Sequence, residues 1–387
     1  MSDGFRHELA PCSTGRLLDV SLPTPHDTHD TNDDSDMRTA ILALASFVSL
    51  AVAAPPTTVE TRSLDQIYQA AQKETGTLRV AWGGDLASSS DGVTAAFRAR
   101  FPGIQVNITT DLSKYWDSRI DRAYQVSNGT DDGYDVAVLQ ALHDFPRWKR
   151  ERRLLNYKAA KWNDIYPQFV DRDGAYNGLF VFGFGQNIVY NPNYFDTPFA
   201  QSYLDYLKPE WKDKLILTYP NDDDAVLYLF KLIVDKYGWG YVDRLVAQGV
   251  QWVRGTATPS LVLSRNNTAG LSFTSYPSSP DVVARDGTDV YMVWPQTGTI
   301  FKSTPVPETA KLFISFLLDD EWQNTASGGG FAARKSIDKK GVFKQPGLDP
   351  TSYSRFMSDR QQVEAWRFQF ETTLGTPQGG NPTYYTV

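Results

Sequence analysis

Trp82-Gly83-Gly84-Asp85 puts an indole, two residues without a Cβ and a carboxylate in four consecutive positions. Two glycines let the backbone approach a bound molecule, and the ring and acid supply cation–π and ionic contacts. A tight turn ending in a solvated acid is the plainer alternative. Asn221-Asp222-Asp223-Asp224 sets three carboxylates before an apolar-periodic stretch that ends at Tyr237. A helix N-terminus welcomes such side chains through its dipole. The same charges would repel a phosphate or carbonate and attract a cation, which makes Asp222 and Asp223 ligand-binding candidates. Gln140 offers an amide, Tyr276 a phenol and Trp294 a second indole. Their plainer roles are helix capping, half-buried packing and simple packing. Asp85, Tyr276 and Asp222 are the candidate oxygen ligands of a hard cation. Trp82 and Trp294 with Asp85 and Asp222 are the candidate box for an organic cation, with ~0.5–2 kcal/mol per cation–π contact.

Other chemistries are excluded by what is missing. Cys12 is the one cysteine, and of the four histidines only His143 lies after residue 53. Zinc sites of four cysteines, of two cysteines with two histidines, or of three histidines are therefore ruled out for the body of the chain, as are thiol catalysis and intrachain disulfides. The body contains no G-x-S-x-G, H-E-x-x-H or P-loop, and Gly183-Phe184-Gly185 lacks the third glycine of a dinucleotide motif. His143 stands beside Asp144 and ahead of the basic run from Lys149 to Arg153, where a solvated surface histidine is expected. The expectation is a binding protein, not an enzyme, with no required cofactor. A hydrolase using Asp85 and Asp222 as a carboxylate pair is the enzymatic alternative. A ligand-free interaction or cell-wall protein is the third reading.

The formal charge of −7 belongs mostly to residues 1–53, which hold eight acids and three bases. The rest, with 37 acidic and 35 basic residues, has no footprint for nucleic acid or an anionic membrane. Met37-Arg38, the apolar run from Thr39 to Val52 and Ala51-Val52-Ala53 read as a secretory signal over 37–53. Those 14 residues fall short of the ~20 that span a bilayer, so no membrane insertion is expected after its removal. Residues 1–36, ending in an Asp-rich tract, read as a disordered leader or a start assigned too early. A secreted, extracellular monomer is expected, with sequons at Asn107, Asn128 and Asn266 as candidate glycosylation sites.

These side chains need elements to hold them. Ser63 to Lys73 reads as a helix, Thr77 to Trp82 as a strand, and a helix from Ser90 or Asp91 stops at Pro102-Gly103. Strand Ile104 to Thr109, helix Ser113 to Val126, strand Tyr134 to Leu139 and helix Ala141 to Arg153 follow. Strands are expected again at Leu179 to Phe184, Ile188 to Tyr190, Lys214 to Tyr219, Gln251 to Val253, Leu271 to Thr274 and Asp289 to Trp294, with helices at Asp222 to Tyr237 and Pro307 to Leu318. Such alternation predicts an α/β protein whose mixed sheets have helices on both faces.

Three stretches carry a resemblance. Asn187-Ile188-Val189-Tyr190-Asn191, then Lys208-Pro209-Glu210-Trp211-Lys212-Asp213-Lys214-Leu215, then Pro305 to Leu318 with Gln323 closing the third, are similar to motifs of type II periplasmic solute-binding proteins, with Asp213 replacing that family's glycine. The resemblance, over about Thr77 to Ala333, is nearest to the ferric-iron branch of ABC transporter components. It implies a two-lobed fold with two crossover strands, near Gly178 to Tyr190 and Asp289 to Trp294, and a ligand clasped by lobe closure. The implied first lobe is 54–177 with 295–387, and the second is 178–294. Mapped here, that branch's tyrosine pair falls on Ser275 and Tyr276, its histidine near Asp85 and its glutamate near Gln140. Ferric iron, another metal ion or an organic cation is the implied ligand, and a membrane transporter an implied partner.

Overall fold

The computed structural model describes residues 57–194, 202–265, 270–287, 289–328 and 330–384. The leader, the signal-like segment and Asn266 lie outside the described residues. Pro55–Val387 form one compact unit. Its first part alternates α1 (Leu64–Ala71), β1 (Thr77–Gly83), α2 (Asp91–Arg100), β2 (Gln105–Asp111), α3 (Ser113–Val126), β3 (Val136–Leu139) and α4 (Asp144–Arg150) before β4 (Tyr176–Phe184). Local chemistry sets several ends. Ser63 and Gln66 close a reciprocal capping box on α1, and past the C-cap Phe101 the chain turns away from α2 through Gly103, in the left-handed region at φ +88°. The helix expected over 141–153 keeps only the turns around Pro146.

The chain continues through β5 (Asn187–Tyr190), β6 (Ile216–Thr218), α5 (Asp224–Tyr237), α6 (Trp239–Ala247), β7 (Gln251–Val253), α7 (Thr258–Arg265), β8 (Leu271–Ser272) and β9 (Val283–Asp286). It closes with β10 (Met292–Ile300), α8 (Pro307–Leu317), α9 (Asp320–Ser327), α10 (Ser352–Ser358) and α11 (Arg360–Leu374). The first sheet has the order β2-β1-β3-β10-β4, parallel among β2, β1 and β3, with β10 antiparallel to both its neighbours. A second sheet, β8-β5-β9, is antiparallel, and β6 pairs with β7 in parallel. A bridge from Leu215 to Leu271 joins that pair to β8.

Two large cores form, one mainly on the first sheet and one mainly on the others. Val80, Val106 and Val138 meet Phe97, Phe101, Phe313 and Phe316 in the first, where Phe97 makes edge contacts with Phe313 and Phe316 at 5.2 and 5.4 Å between centroids. Leu217, Leu229, Phe230 and Phe273 meet Tyr353, Phe356 and Phe370 in the second. The stretch 295–387, expected wholly with the first lobe, divides: α8 packs in the first core, and α10 and α11 pack in the second. β4 and β10 feed both cores, giving Leu179, Val181 and Val293 to one and Phe184, Met292 and Trp294 to the other. The chain passes from β4 to β5 through Gly185-Gln186 and returns between Asp286 and Met292, and Gly287 N–H donates to Gln186 O at 2.5 Å across the two connections.

Two motif positions gain a reason. Gln323, 2% exposed, donates to the carbonyls of Leu179 and Leu317, tying the end of α8 to β4. Asp213 sits at φ +61°, a conformation glycine adopts freely and aspartate tolerates, which is why the replacement keeps the turn.

Gly185, at φ +80°, has no room for a methyl group: an added Cβ would lie 2.7 Å from Tyr203 Oη and 2.9 Å from Leu229 Cδ1 and Val290 O. Gly185→Ala should cost ~2–4 kcal/mol from left-handed strain and overpacking together. The urea midpoint should fall, with the m-value unchanged.

Candidate ligand-binding site

Between the two cores lies a cavity of about 540 Å³, lined by Trp82, Gly83, Gly84 and Asp85, by Gln140, by Phe182, Phe184, Trp294 and Gln296, and by Thr256, Tyr276 and Ser278, with Leu86, Ser88, Ser89, Ser113 and Gly183 completing the wall. The loops after β1 and β3 supply the first set, the crossover strands the second, and the loops after β7 and β8 the third. Gly83 and Gly84 are there because nothing larger fits. An added Cβ would meet Ser113 Oγ at 2.1 Å and Ser89 Cβ at 2.7 Å. Ser113 Oγ accepts from Gln140 N–H, and the Trp116 indole donates to Trp82 O, holding both loops against α3. Trp294 packs on Phe184 and Phe182 at 5.1 and 5.8 Å. Gln296 donates to Gly83 O and Val138 O, tying β10 to the ends of β1 and β3. Across the cavity, the Thr256 hydroxyl donates to Asp85.

Of the sequence-predicted residues, Trp82, Gly83, Gly84, Asp85, Gln140, Tyr276 and Trp294 come together on this wall, whereas Asp222 and Asp223 do not line it. Asp222 is engaged by Lys114 and Arg254, and Arg254 also donates to the Tyr115 hydroxyl. Asp223 caps α5 through the N–H groups of Ala225 and Val226 and accepts from the Gln140 side chain at 2.8 Å. Asp224 pairs with Arg367. The acidic loop therefore joins the two halves, and Asp222 is spent on two bases before any cation arrives. That removes it from the expected metal set with Asp85 and Tyr276, from the organic-cation box, and from a carboxylate pair with Asp85. Ser275, the other mapped tyrosine position, donates to Thr256 O.

No family model matches the chain, and no curated protein matches it. Solved structures do. Iron-bound HitA from Pseudomonas aeruginosa is 16% identical, with 76% of this chain and 99% of that chain covered and a TM-score of 0.57. The substrate binding protein of an ABC transporter from Agrobacterium tumefaciens is 15% identical, with 78% and 95% covered and a TM-score of 0.65. A periplasmic thiamin binding protein is 16% identical, with 78% and 96% covered and a TM-score of 0.58. The fold is that of the two-lobed solute-binding proteins. Its lobes are the two cores, its crossovers are β4 and β10, and the cavity is the interlobe cleft. Among the described residues no helix is long and apolar enough to cross a membrane.

Burial dominates the electrostatics of the cleft. It pushes the Asp85 carboxyl up, the Asp222 charge adds to this, and the Thr256 bond works against it. Burial, with the Asp85 charge beside it, pushes Asp223 up to about 7. The Tyr276 phenol is raised by burial and then by Asp85 and Asp223, so it stays neutral. Tyr276 is 38% exposed and is one of the residues that line the cavity. His143 corrects another expectation. Its side chain is only 7% exposed, and burial pulls its pKa down to about 4.

Thr256, Ser278, Phe182 and Phe184 escaped the sequence reading. Thr256 lies three residues past β7, so the rule that ligands sit beyond the carboxyl ends of strands finds it when applied to that short strand. Phe182 and Phe184 share a strand face by two-residue periodicity.

A carboxyl whose folded pKa is raised binds its proton more tightly in the native state. Its contribution to stability is present below the ordinary value of 3.8 and is lost as pH rises through about 7. Asp223→Asn should therefore flatten the pH dependence of stability between about pH 4 and 7 relative to wild type, in urea melts across that range.

Proposed function

We propose that this protein is a secreted solute-binding protein that holds a small, flat organic cation between its lobes. The observation that carries this is the composition of the cleft wall: five aromatic side chains, Trp82, Phe182, Phe184, Tyr276 and Trp294, around a single carboxylate, Asp85. A cavity of about 540 Å³ falls in the range of pockets for small molecules. A bare metal ion needs several hard, charged donors converging on one point, and the one carboxylate of the wall is joined only by neutral hydroxyls, amides and a phenol. The thiamin binding protein among the similar structures supports the reading, since thiamin carries a cationic ring. Export is supported by the signal-like segment, and delivery to a membrane transporter by the transporter component among the similar structures. Asn107 and Asn128 are exposed and remain the proposed glycan acceptors.

Calorimetric titration with thiamine, with spermidine and ferric citrate as comparators, tests the reading. Thiamine should bind most tightly. Asp85→Asn should weaken it about ten- to a hundredfold through loss of a charge-assisted contact, and Trp82→Leu about three- to thirtyfold. Affinity should rise with pH as Asp85 ionises. Binding of ferric citrate alone, insensitive to Trp82→Leu, would overturn the reading.

A further inference from the structure

Asp117, His143 and Asp144 bring one ring nitrogen and two carboxylate oxygens within 4.8 Å of one another. None of the three lines the cleft cavity. Asp117 projects from α3, His143 precedes α4 and Asp144 opens it. Their side chains are 20%, 7% and 1% exposed, in that order. Two arginines reach the cluster. Arg147 donates to Asp144 Oδ1 at 3.1 Å, and Arg360, from the start of α11, sets Nη1 against His143 Nε2 and 3.5 Å from Asp117 Oδ2. These bonds do not complete the site. His143 Nδ1 and Asp144 Oδ2 are buried without a hydrogen-bond partner, although buried polar atoms are nearly always paired. An ion-pair network alone therefore leaves a ring nitrogen and a carboxylate oxygen unmet on two of the three residues whose ligand atoms converge.

We propose that Asp117, His143 and Asp144 form a site for a divalent transition-metal ion, in which the Arg360 guanidinium and the ion are alternative occupants. One neutral imidazole and two carboxylates suit zinc and its neighbours in the first transition row. This donor set lies outside the cysteine-rich and three-histidine types that the sequence excludes. Arg360 can yield the position, because its side chain is 47% exposed and its Nε already pairs with Glu364 Oε1 at 2.8 Å. Arg360 belongs to a helix packed in the second core, whereas the three ligands stand on elements of the first lobe. Uptake of the ion thus exchanges a contact between lobes for one within a lobe.

Calorimetric titration of the chelator-treated full chain with zinc chloride tests this, read as the zinc equivalent that depends on His143. Uptake at His7, His26, His29 or Cys12 persists in His143→Ala and does not count. Wild type should bind one such equivalent, weakened at least about tenfold in Asp144→Asn and lost in His143→Ala. Should His143→Ala fail to give a native circular dichroism spectrum, His143→Gln replaces it. Arg360→Ala should bind this equivalent more tightly than wild type, and Asp85→Asn should bind it unchanged. Equal uptake with and without His143, no gain in Arg360→Ala, or loss of the equivalent in Asp85→Asn would each overturn the proposal.

Discussion

The antiparallel pairing of β4 with β10 is the constraint on which the molecule depends. These are the strands whose side chains enter both cores, so one backbone ladder fixes the separation of two independently packed halves. Its register shifts between Gln296 and Thr297, and irregularities of this kind re-aim a side chain. The Gln296 amide there reaches the carbonyls of Gly83 and Val138, which sit at the ends of two other strands. The floor of the cleft is thereby referenced to the ladder, and the aromatic wall formed by Phe182, Phe184 and Trp294 belongs to the same two strands.

Polar contacts across the gap have a different character. Asp222 with Lys114, and Asp223 with Gln140, are buried or nearly so, and burying charge offsets much of what pairing returns. They are better regarded as registering one half against the other than as a source of net stability. Asp224 shows the balance directly: burial pushes its carboxyl up, but Arg367, with His143 and Arg360 nearby, holds it below the usual range.

The fold was largely legible because its signals are local. Capping at Ser63, the glycine turn at Gly103 and the apolar face from Val226 to Ile233 each lie within one element. What sequence could not convey was partnership. Asp222, Asp223 and Asp224 read as helix-capping acids or as a lure for a cation; Asp223 does cap α5, but each is also committed to a group 80 to 145 positions away in the chain, with Arg254 nearer. His143 read as solvated because a basic run follows it, yet packing around α4 buries it. The C-terminal helices α10 and α11 carried no resemblance and complete the second core. Short elements such as β7 gave too little pattern to draw attention to Thr256 behind them.

Trp82 and Trp294 both line the cleft wall, while Trp116, Trp148 and Trp211 are sealed in the interior. Indole emission responds to its immediate dielectric and to stacked partners, so the sealed rings supply a constant background and the two wall rings a variable signal. The protein thus carries its own optical gauge of occupancy, with no dye or label required.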